Sequence, residues 1–518
     1  MRDFLLSIGA AAWVLPALIL WPIMAAPLVR WIGRDTVTDD AADGLDARVL
    51  TCGVLAVEAL LGLVLLGVYD SGAAGWQARF DVPWLPELGA SLSLGVDALS
   101  LPMVVLITVL MPLTLLGAWN NVRVRTPSFG ALLLLLTAGL VGVLVSLDLL
   151  LFYLAWELML IPTYFLIGIW GTGQASRATV RYVLFTLVGS LLMLVAILAL
   201  WNGGGASSFH LDHLLRVRLT PQTQLYMFGA FFLAFAVKSA LVPFHTWLPD
   251  AQGSAPTVAA VTLGVKVGIY GILRFAIPLF PAAAMHDAVR MTILVLAVIA
   301  VLYGALMAMV QEDLKRWIAY ASISHLGMLM LGIFVLTPLA VQGATLLMIN
   351  HGITTSALFL LVGMLADRRG STLMADFGGL ARQAPVLSAI LVLAILSTIA
   401  LPGTNGFVGE LLVLLGAFSE QPVLTGIATL GVIAAALYGL RAVQRVLFGD
   451  APITAPAIAD LSWREGVVMG TFALAMLWLG VAPGPVLRPL DGVARSVVEA
   501  AHFGPNAPMG PTSTRTTP

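Results

Sequence analysis

The chain has 518 residues, of which 60% are hydrophobic and only 10% charged, against roughly 45–50% and 25% in an ordinary soluble domain. With a mean hydropathy of +0.99 it lacks the polar groups to coat a globule, so the bilayer is the expected solvent. A net charge of −1 gives no support for nucleic-acid binding. The single Cys52 excludes an intrachain disulfide, a Cys-ligated zinc site and an iron–sulfur cluster held by this chain's own thiolates.

A transmembrane helix needs roughly 20 mostly apolar residues, and runs of that kind fill the chain. Parsed in order, they predict helices near 4–29, 49–68, 98–118, 128–147, 149–169, 180–201, 225–247, 256–277, 289–310, 317–335, 338–365, 384–416, 422–447 and 465–484. That makes fourteen. The first run is too long for the h-region of a signal peptide, which spans roughly 7 to 15 residues, and is kept as a helix. The polar stretch 69–97, rich in Gly, Pro and Trp, is expected on the membrane surface, and the tail after Ala500 is expected to be disordered.

Arginine and lysine set the orientation. Odd-numbered connections and their edges carry most of them, among them Arg30, Arg123, Arg177, Arg181, Lys315, Arg316, Arg368 and Arg445, whereas even-numbered ones carry few, such as Arg79, Arg216 and Arg290. Odd loops are therefore expected in the cytoplasm and both termini on the opposite side. A faint internal repeat is also visible: Asp148-Leu149 opens the fifth helix and Asp313-Leu314 the tenth, while Pro243 interrupts the seventh and Pro402 the twelfth. Five helices separate each pair. An odd number means that the second copy is inverted across the membrane, as in many secondary transporters.

Only three lysines occur, and two of them, Lys238 and Lys266, fall within predicted spans. A central lysine costs roughly 2.5–3.5 kcal/mol on translocon scales, and it differs from arginine in exchanging its proton readily when buried. Glu58, Glu157, Glu410, His325 and His351 share this depth, with Ser324, Asn350 and Thr354 close in sequence. Carboxylate, amine, imidazole and hydroxyl groups at bilayer depth are the parts of a proton relay. Pro162 follows Glu157 by five residues, Pro243 follows Lys238 by five, and Pro402 with Gly403, Gly406 and Gly409 leads up to Glu410. Each proline deprives a helical carbonyl of its donor, and such a group survives at this depth only inside protein or beside a hydrated cavity.

Structural roles compete with these. Glu157 and Lys238 could form a packing salt bridge, Glu58 has no proline or charged neighbour in its span, and His210 with His213 reads as a solvated loop pair rather than a metal site. No nucleophile motif, phosphate-binding loop, dinucleotide fingerprint or zinc signature is present.

The segments W-E-L-M-L-I-P (156–162), F-A-V-K-S-A-L-V-P-F-H-T-W-L-P-D-A (235–251), E-D-L-K-R-W-I-A-Y-A-S-I-S-H-L-G (312–327), Q-G-A-T-L-L-M-I-N-H-G (342–352) and L-P-G-T-N-G-F-V-G-E (401–410) closely resemble the M chains of proton-pumping NADH:quinone oxidoreductase, complex I. The resemblance runs from about residue 95 to 450. It implies an all-α polytopic membrane protein of fourteen transmembrane helices, with two inverted five-helix repeats and broken seventh and twelfth helices. The corresponding division is 1–125 for the first three helices, 126–280 for the first repeat, 281–450 for the second, and 451–518 for the last helix and tail.

The resemblance also implies roles. Glu157 matches the carboxylate that works with Lys238, Lys266 the central lysine, His325 and His351 the relay beyond it, and Glu410 the terminal acid, where sister chains L and N usually carry lysine. It implies a proton-translocating subunit of the membrane arm in a bacterial inner membrane. Its neighbours would be other membrane subunits, especially chains L and N, and lipids. No cofactor is expected in this chain; NADH, FMN, iron–sulfur clusters and quinone belong to partner subunits. The alternatives are an ion-exchange subunit of a sodium/proton antiporter or membrane-bound hydrogenase, and a passive scaffold. One departure stands out: the chain is a few residues shorter than the family pattern between Ala255-Pro256-Thr257 and Lys266, so an altered start of the eighth helix is expected.

Overall fold

A computed structural model describes residues 2–35, 45–73, 75–203, 208–449 and 457–504. Among them, twelve helices are long and apolar enough to cross a membrane. The two predicted spans missing from those twelve are the seventh and twelfth, because each is divided: Pro221–Lys238 with Trp247–Ser254, and Pro385–Thr398 with Asn405–Phe418. The tenth span, Leu314–Phe334, and the eleventh, Pro338–Arg369, are buried along nearly their whole length and form the axis of the molecule. The second, Ala47–Val68, and the sixth, Ala175–Gly203, keep most of their surface outward.

The two divided spans end their first halves in the same way. Ser239, Ala240 and Leu241 donate their amides to the carbonyls of Phe235, Val237 and Ala236; Ile399, Ala400 and Leu401 donate theirs to Ile395, Ser397 and Leu396. The bond running back five residues, with a left-handed residue inside it, is a Schellman motif. Here alanine occupies the left-handed position, at φ 46° in Ala240 and 54° in Ala400. The motif satisfies carbonyls that would otherwise face hydrocarbon, which is the condition for ending a helix inside a membrane. Sequence offset 160 relates the two turns, so Lys238 corresponds to Thr398, whereas the second halves, which open at Trp247 and Asn405, are related by offset 158.

A second correspondence lies at the helix starts. Asp148 caps the fifth span through Leu150 and Leu151, and Asp313 caps the tenth through Arg316. Asp148 then bridges to His210 beyond the sixth span, and Asp313 to Leu373 beyond the eleventh.

Three expectations are corrected, and the stretch 69–97 gains a definite structure. The first run is two helices, Arg2–Ser7 and Ala10–Ile32, separated at Gly9, whose φ of 67° suits glycine. Residues 77–96 form an antiparallel hairpin of β1, Gln77–Leu85, and β2, Ala90–Val96, because alternating apolar residues such as Leu92, Leu94 and Val96 suit a half-buried strand. The chain continues past the fourteenth span, Trp463–Val481, into a helix, Gly484–Phe503, so residues 501–503 are ordered; the remaining expected disorder, 505–518, lies outside the described residues. The eighth span, Thr257–Leu279, is interrupted at Lys266.

The hairpin is tied to the helices by Asp97, which meets Arg274 at 2.5 Å while the guanidinium lies 4.4 Å from the centre of the Trp76 ring. Removing one partner of such a shielded pair leaves an uncompensated charge and costs about 3–5 kcal/mol. Asp97→Ala should accordingly lower the melting temperature of the assembled complex, whereas Arg79→Ala, which removes an exposed pair to Asp212 at 3.5 Å, should leave it within about 1 kcal/mol of native stability; thermal denaturation monitored by subunit release compares the two.

Candidate functional site

Lys238 is the last helical residue of the first half of the seventh span. The C-terminal end of a helix carries partial negative charge, which favours an ammonium in the last turn. The side chain donates to the Tyr182 hydroxyl at 3.2 Å, and its Nζ lies 5.3 Å from the centre of that ring and 5.9 Å from the Trp156 ring. Trp247, opening the second half, donates its indole N–H to the Val237 carbonyl at 2.9 Å and so ties the halves across the break. Glu157 is adjacent to Trp156 in sequence, yet it forms no ion pair with Lys238; its Oε1 is buried without a hydrogen-bond partner. An aromatic cradle holds this lysine, and the expected carboxylate stands off from it.

Lys266 is buried and sits between Thr257–Leu263 and Val267–Gly271, at φ −88° and ψ 43°. The helix starts directly after Pro256, and its register is reset at Gly264-Val265-Lys266. Beyond the interruption, Gly268 packs so closely on the first break that an added Cβ would lie 2.4 Å from Ser239 Oγ and 2.7 Å from the Phe235 carbonyl. That contact presses the Lys266 segment against the end of the helix bearing Lys238. Tyr270, a turn further on, donates to the Leu144 carbonyl at 2.7 Å and fixes the segment from the other side. The third lysine, Lys315, is buried and donates to the Ala255 carbonyl at 2.9 Å, linking the start of the tenth span to the turn between the seventh and eighth.

The histidines and Glu410 converge. His325 Nδ1 lies 3.0 Å from Glu410 Oε1, and the His325 and His351 rings meet edge to face with centroids 5.0 Å apart. Lys266 lies close enough to His351 to act on it electrostatically. The order in space is therefore Lys266, His351, His325, Glu410. Around them is a cavity of about 20 Å³, room for one water by the ~10–15 Å³ such a molecule requires. Its lining includes His351, Asn350 and Ser322, and both ring nitrogens of His351, Nε2 of His325, Oδ1 of Asn350 and Oγ of Ser322 lack a protein partner.

The second break supplies the cavity wall. Asn350 donates to the Asn405 carbonyl at 2.5 Å and Asn405 returns the bond to the Asn350 carbonyl at 3.1 Å, while Thr354 and Ser397 share a hydrogen bond of 2.8 Å. Asn350 and Thr354 thus stand where the sequence placed them. Ser324 does not: it turns away and donates to the Val301 carbonyl at 2.8 Å. Asn405, Ser397, Ser322, Tyr182 and Tyr438 were not anticipated. Tyr438, whose buried hydroxyl has no partner, lies within electrostatic reach of Glu410. Only Asn405 carried a signal, as the polar residue of the L-P-G-T-N-G segment.

His210 is buried rather than solvated and accepts the Asp212 amide at 3.2 Å. Among the described residues no group of three or more His, Cys, Asp or Glu is arranged to hold a metal ion.

Glu58 lies apart from this line. It is fully buried, and neither carboxylate oxygen has a hydrogen-bond partner. The third and fourth spans packed against it, Ser100–Gly117 and Thr126–Val145, carry no ionisable residue, and the packed helix Ala10–Ile32 carries only Arg30 in its last turn.

Buried ionisable groups strung between two broken helices define an antiporter-like ion-translocating membrane protein. Residues 146–437 match the family described as NADH:quinone oxidoreductase/Mrp antiporter, transmembrane, and the chain belongs to it. It is 41% identical over 430 residues to NADH-quinone oxidoreductase subunit M of Pseudomonas aeruginosa, covering 80% of this chain and 84% of that one. The Rhodobacter capsulatus subunit M is 38% identical over 496 residues, covering 93% and 95%. A chain of respiratory complex I from Thermus thermophilus superposes with a TM-score of 0.86 at 34% identity, covering 94% of this chain and 99% of that one.

Two substitutions test the geometry. Gly268→Ala must displace the eighth span from the Ser239 break and should reduce proton pumping several-fold while leaving the complex assembled, as read by proton uptake into vesicles. Glu58→Met removes a carboxyl whose burial without a partner costs about 1–3 kcal/mol; its melting temperature should equal or exceed the native one with pumping unchanged, and a pumping defect in assembled Glu58→Met complex would make Glu58 a functional group.

Proposed function

We propose that this chain is the M-type, antiporter-like subunit in the membrane arm of a bacterial complex I, and that it carries protons along Lys238, Lys266, His351, His325 and Glu410. The subunit-M relatives, matched along most of their length, support the assignment to an NADH-quinone oxidoreductase. The observation that carries the mechanism is the convergence of His351, His325 and Glu410 on one water-sized cavity, with Lys266 within electrostatic reach of His351.

In this reading, odd-numbered loops face the cytoplasm, both termini lie outside, and residues 126–280 and 281–450 are the two inverted repeats. A proton from the cytoplasmic side loads Lys238 at the first break. Glu157 sets how strongly it is held: two unit charges ~7 Å apart at an effective dielectric of ~20 interact by about 2.4 kcal/mol. The absence of a direct contact makes this coupling adjustable, because a charge moving in a neighbouring subunit, such as a sister L or N chain, can draw Glu157 toward or away from Lys238. Released toward Lys266, the proton passes through the bare nitrogens of His351 and, by way of one bridging water, to His325 and Glu410. Glu410 discharges it on the far side. Electron transfer occurs in partner subunits that hold NADH, FMN, iron–sulfur clusters and quinone; this chain supplies the charge path.

Glu157→Gln and Glu410→Gln separate the two ends of the path. Both should leave the complex assembled and lower proton pumping and coupled quinone reduction by about tenfold, the effect of ~1.4 kcal/mol, measured in proteoliposomes with an uncoupler control. Glu157→Asp should recover part of the loss because the charge remains. Native pumping in assembled Glu410→Gln complex would remove the relay beyond Lys266.

A further inference from the structure

The sixth span begins at Ala175, and its first turns border two joined hollows. One is an open groove of about 740 Å³ whose walls include Gln174, Arg177, Arg181, Leu184 and Phe185. The other, about 360 Å³, shares Gln174 and Arg177 with it and continues to Asp250 and Arg316. Arg181 and Arg316 both pair with Asp250, the latter at 3.5 Å, and Asp313 is engaged in capping the tenth span. Arg177 is exposed and has no hydrogen bond or ion pair among the described residues. Three cations thus face two carboxylates, and the unmatched charge stands where the hollows meet.

Below Arg177 the surface changes character. Val180, Leu184, Val188, Leu191 and Val195 are exposed, between 47% and 63%, and recur at three- and four-residue spacing along one helix face. From 180 to 195 the rise is about 22 Å, longer than the ~15 Å half-thickness of the hydrocarbon core. A free guanidinium over a polar pocket, with an apolar strip leading from it into the bilayer, matches a phosphate joined to an acyl chain and matches no wholly apolar or wholly polar partner.

We propose that this corner binds an anionic phospholipid, its phosphate held by Arg177 beside the Arg181–Asp250–Arg316 cluster and one acyl chain lying along Val180, Leu184 and Val188. Because Asp250 belongs to the second half of the broken seventh span, the headgroup adjoins the element that closes the first break.

The test uses the intact complex carrying R177E, or L184W, which crowds the groove while keeping the charge. Native mass spectrometry should find less phosphatidylglycerol or cardiolipin retained by both variants than by wild type. In phosphatidylcholine nanodiscs with a rising fraction of phosphatidylglycerol, R177E should need at least about fivefold more phosphatidylglycerol to reach half-maximal quinone reduction, since one surface arginine contributes about 1 kcal/mol to anionic-lipid attraction. Equal lipid retention and equal dose response in assembled R177E complex would overturn the proposal. So would inorganic phosphate replacing phosphatidylglycerol, which would indicate a free-anion site, or loss of a neighbouring subunit from both variants, which would mark the corner as a protein contact.

Discussion

Ending a helix inside a membrane without leaving its carbonyls bare is the constraint on which this structure depends. Each unsatisfied backbone group in hydrocarbon costs several kcal/mol, so a break can exist only where the chain closes its own hydrogen bonds. The Schellman turns after Lys238 and Thr398 do so, at the expense of holding Ala240 and Ala400 in the left-handed region, a conformation that costs an L-residue roughly 1–2 kcal/mol. What the breaks provide is a helix terminus at bilayer depth. A terminus carries a partial charge, and polar and ionisable side chains gather there: Lys238 at one, the Asn405–Asn350 pair and Glu410 at the other.

Much of this was legible in the sequence because lipid simplifies the reading. Charge-free runs mark spans directly, and a lysine inside one is conspicuous, since its cost must be met by a partner or a function. Pro243 and Pro402 signalled both breaks, and the identity of Glu157, Lys238, Lys266, His325, His351 and Glu410 as mid-membrane groups needed only position. What could not be read was direction around a helix axis. Ser324 and Ser322 are two residues apart on one fully buried span; the first faces Val301 and the second faces the cavity, and a span apolar on every side has no amphipathic pattern to tell them apart. The interruption at Lys266 was hidden for a different reason. It contains no proline, and the close contact of Gly268 with Ser239 and Phe235 that accompanies it is visible only in three dimensions.

The close glycine contacts explain how the two lysines come to be neighbours. Gly268 and Gly271 lie against Phe235 and Ser239 so tightly that a Cβ on either would approach within 2.4–2.5 Å of them. Packing of this kind is the ordinary route to helix association in lipid, where no hydrophobic force separates helices from their solvent. Here it does more than hold two helices together. It sets the interruption of the eighth span against the terminus of the seventh, so a lysine at a helix end and a lysine at a helix defect belong to one packed unit.

The two breaks share a turn and differ in chemistry, and the difference gives the proposed path a direction. Aligned on their turns, Lys238 matches Thr398, and each second half carries one acid in its first two turns, Asp250 in one and Glu410 in the other. In the first break the cation is free of any ion pair and cradled by Tyr182 and Trp156, while the carboxylate is locked between Arg181 and Arg316. In the second a hydroxyl stands at the lysine's position, and the carboxylate, Glu410, has a histidine 3.0 Å away as its partner. A guanidinium does not give up its proton, whereas an imidazole can exchange one near neutral pH. On the proposed path the same scaffold therefore holds a lysine at one end and an acid beside an exchangeable partner at the other, and translocation along it needs only that the first be loaded and the second emptied from opposite sides.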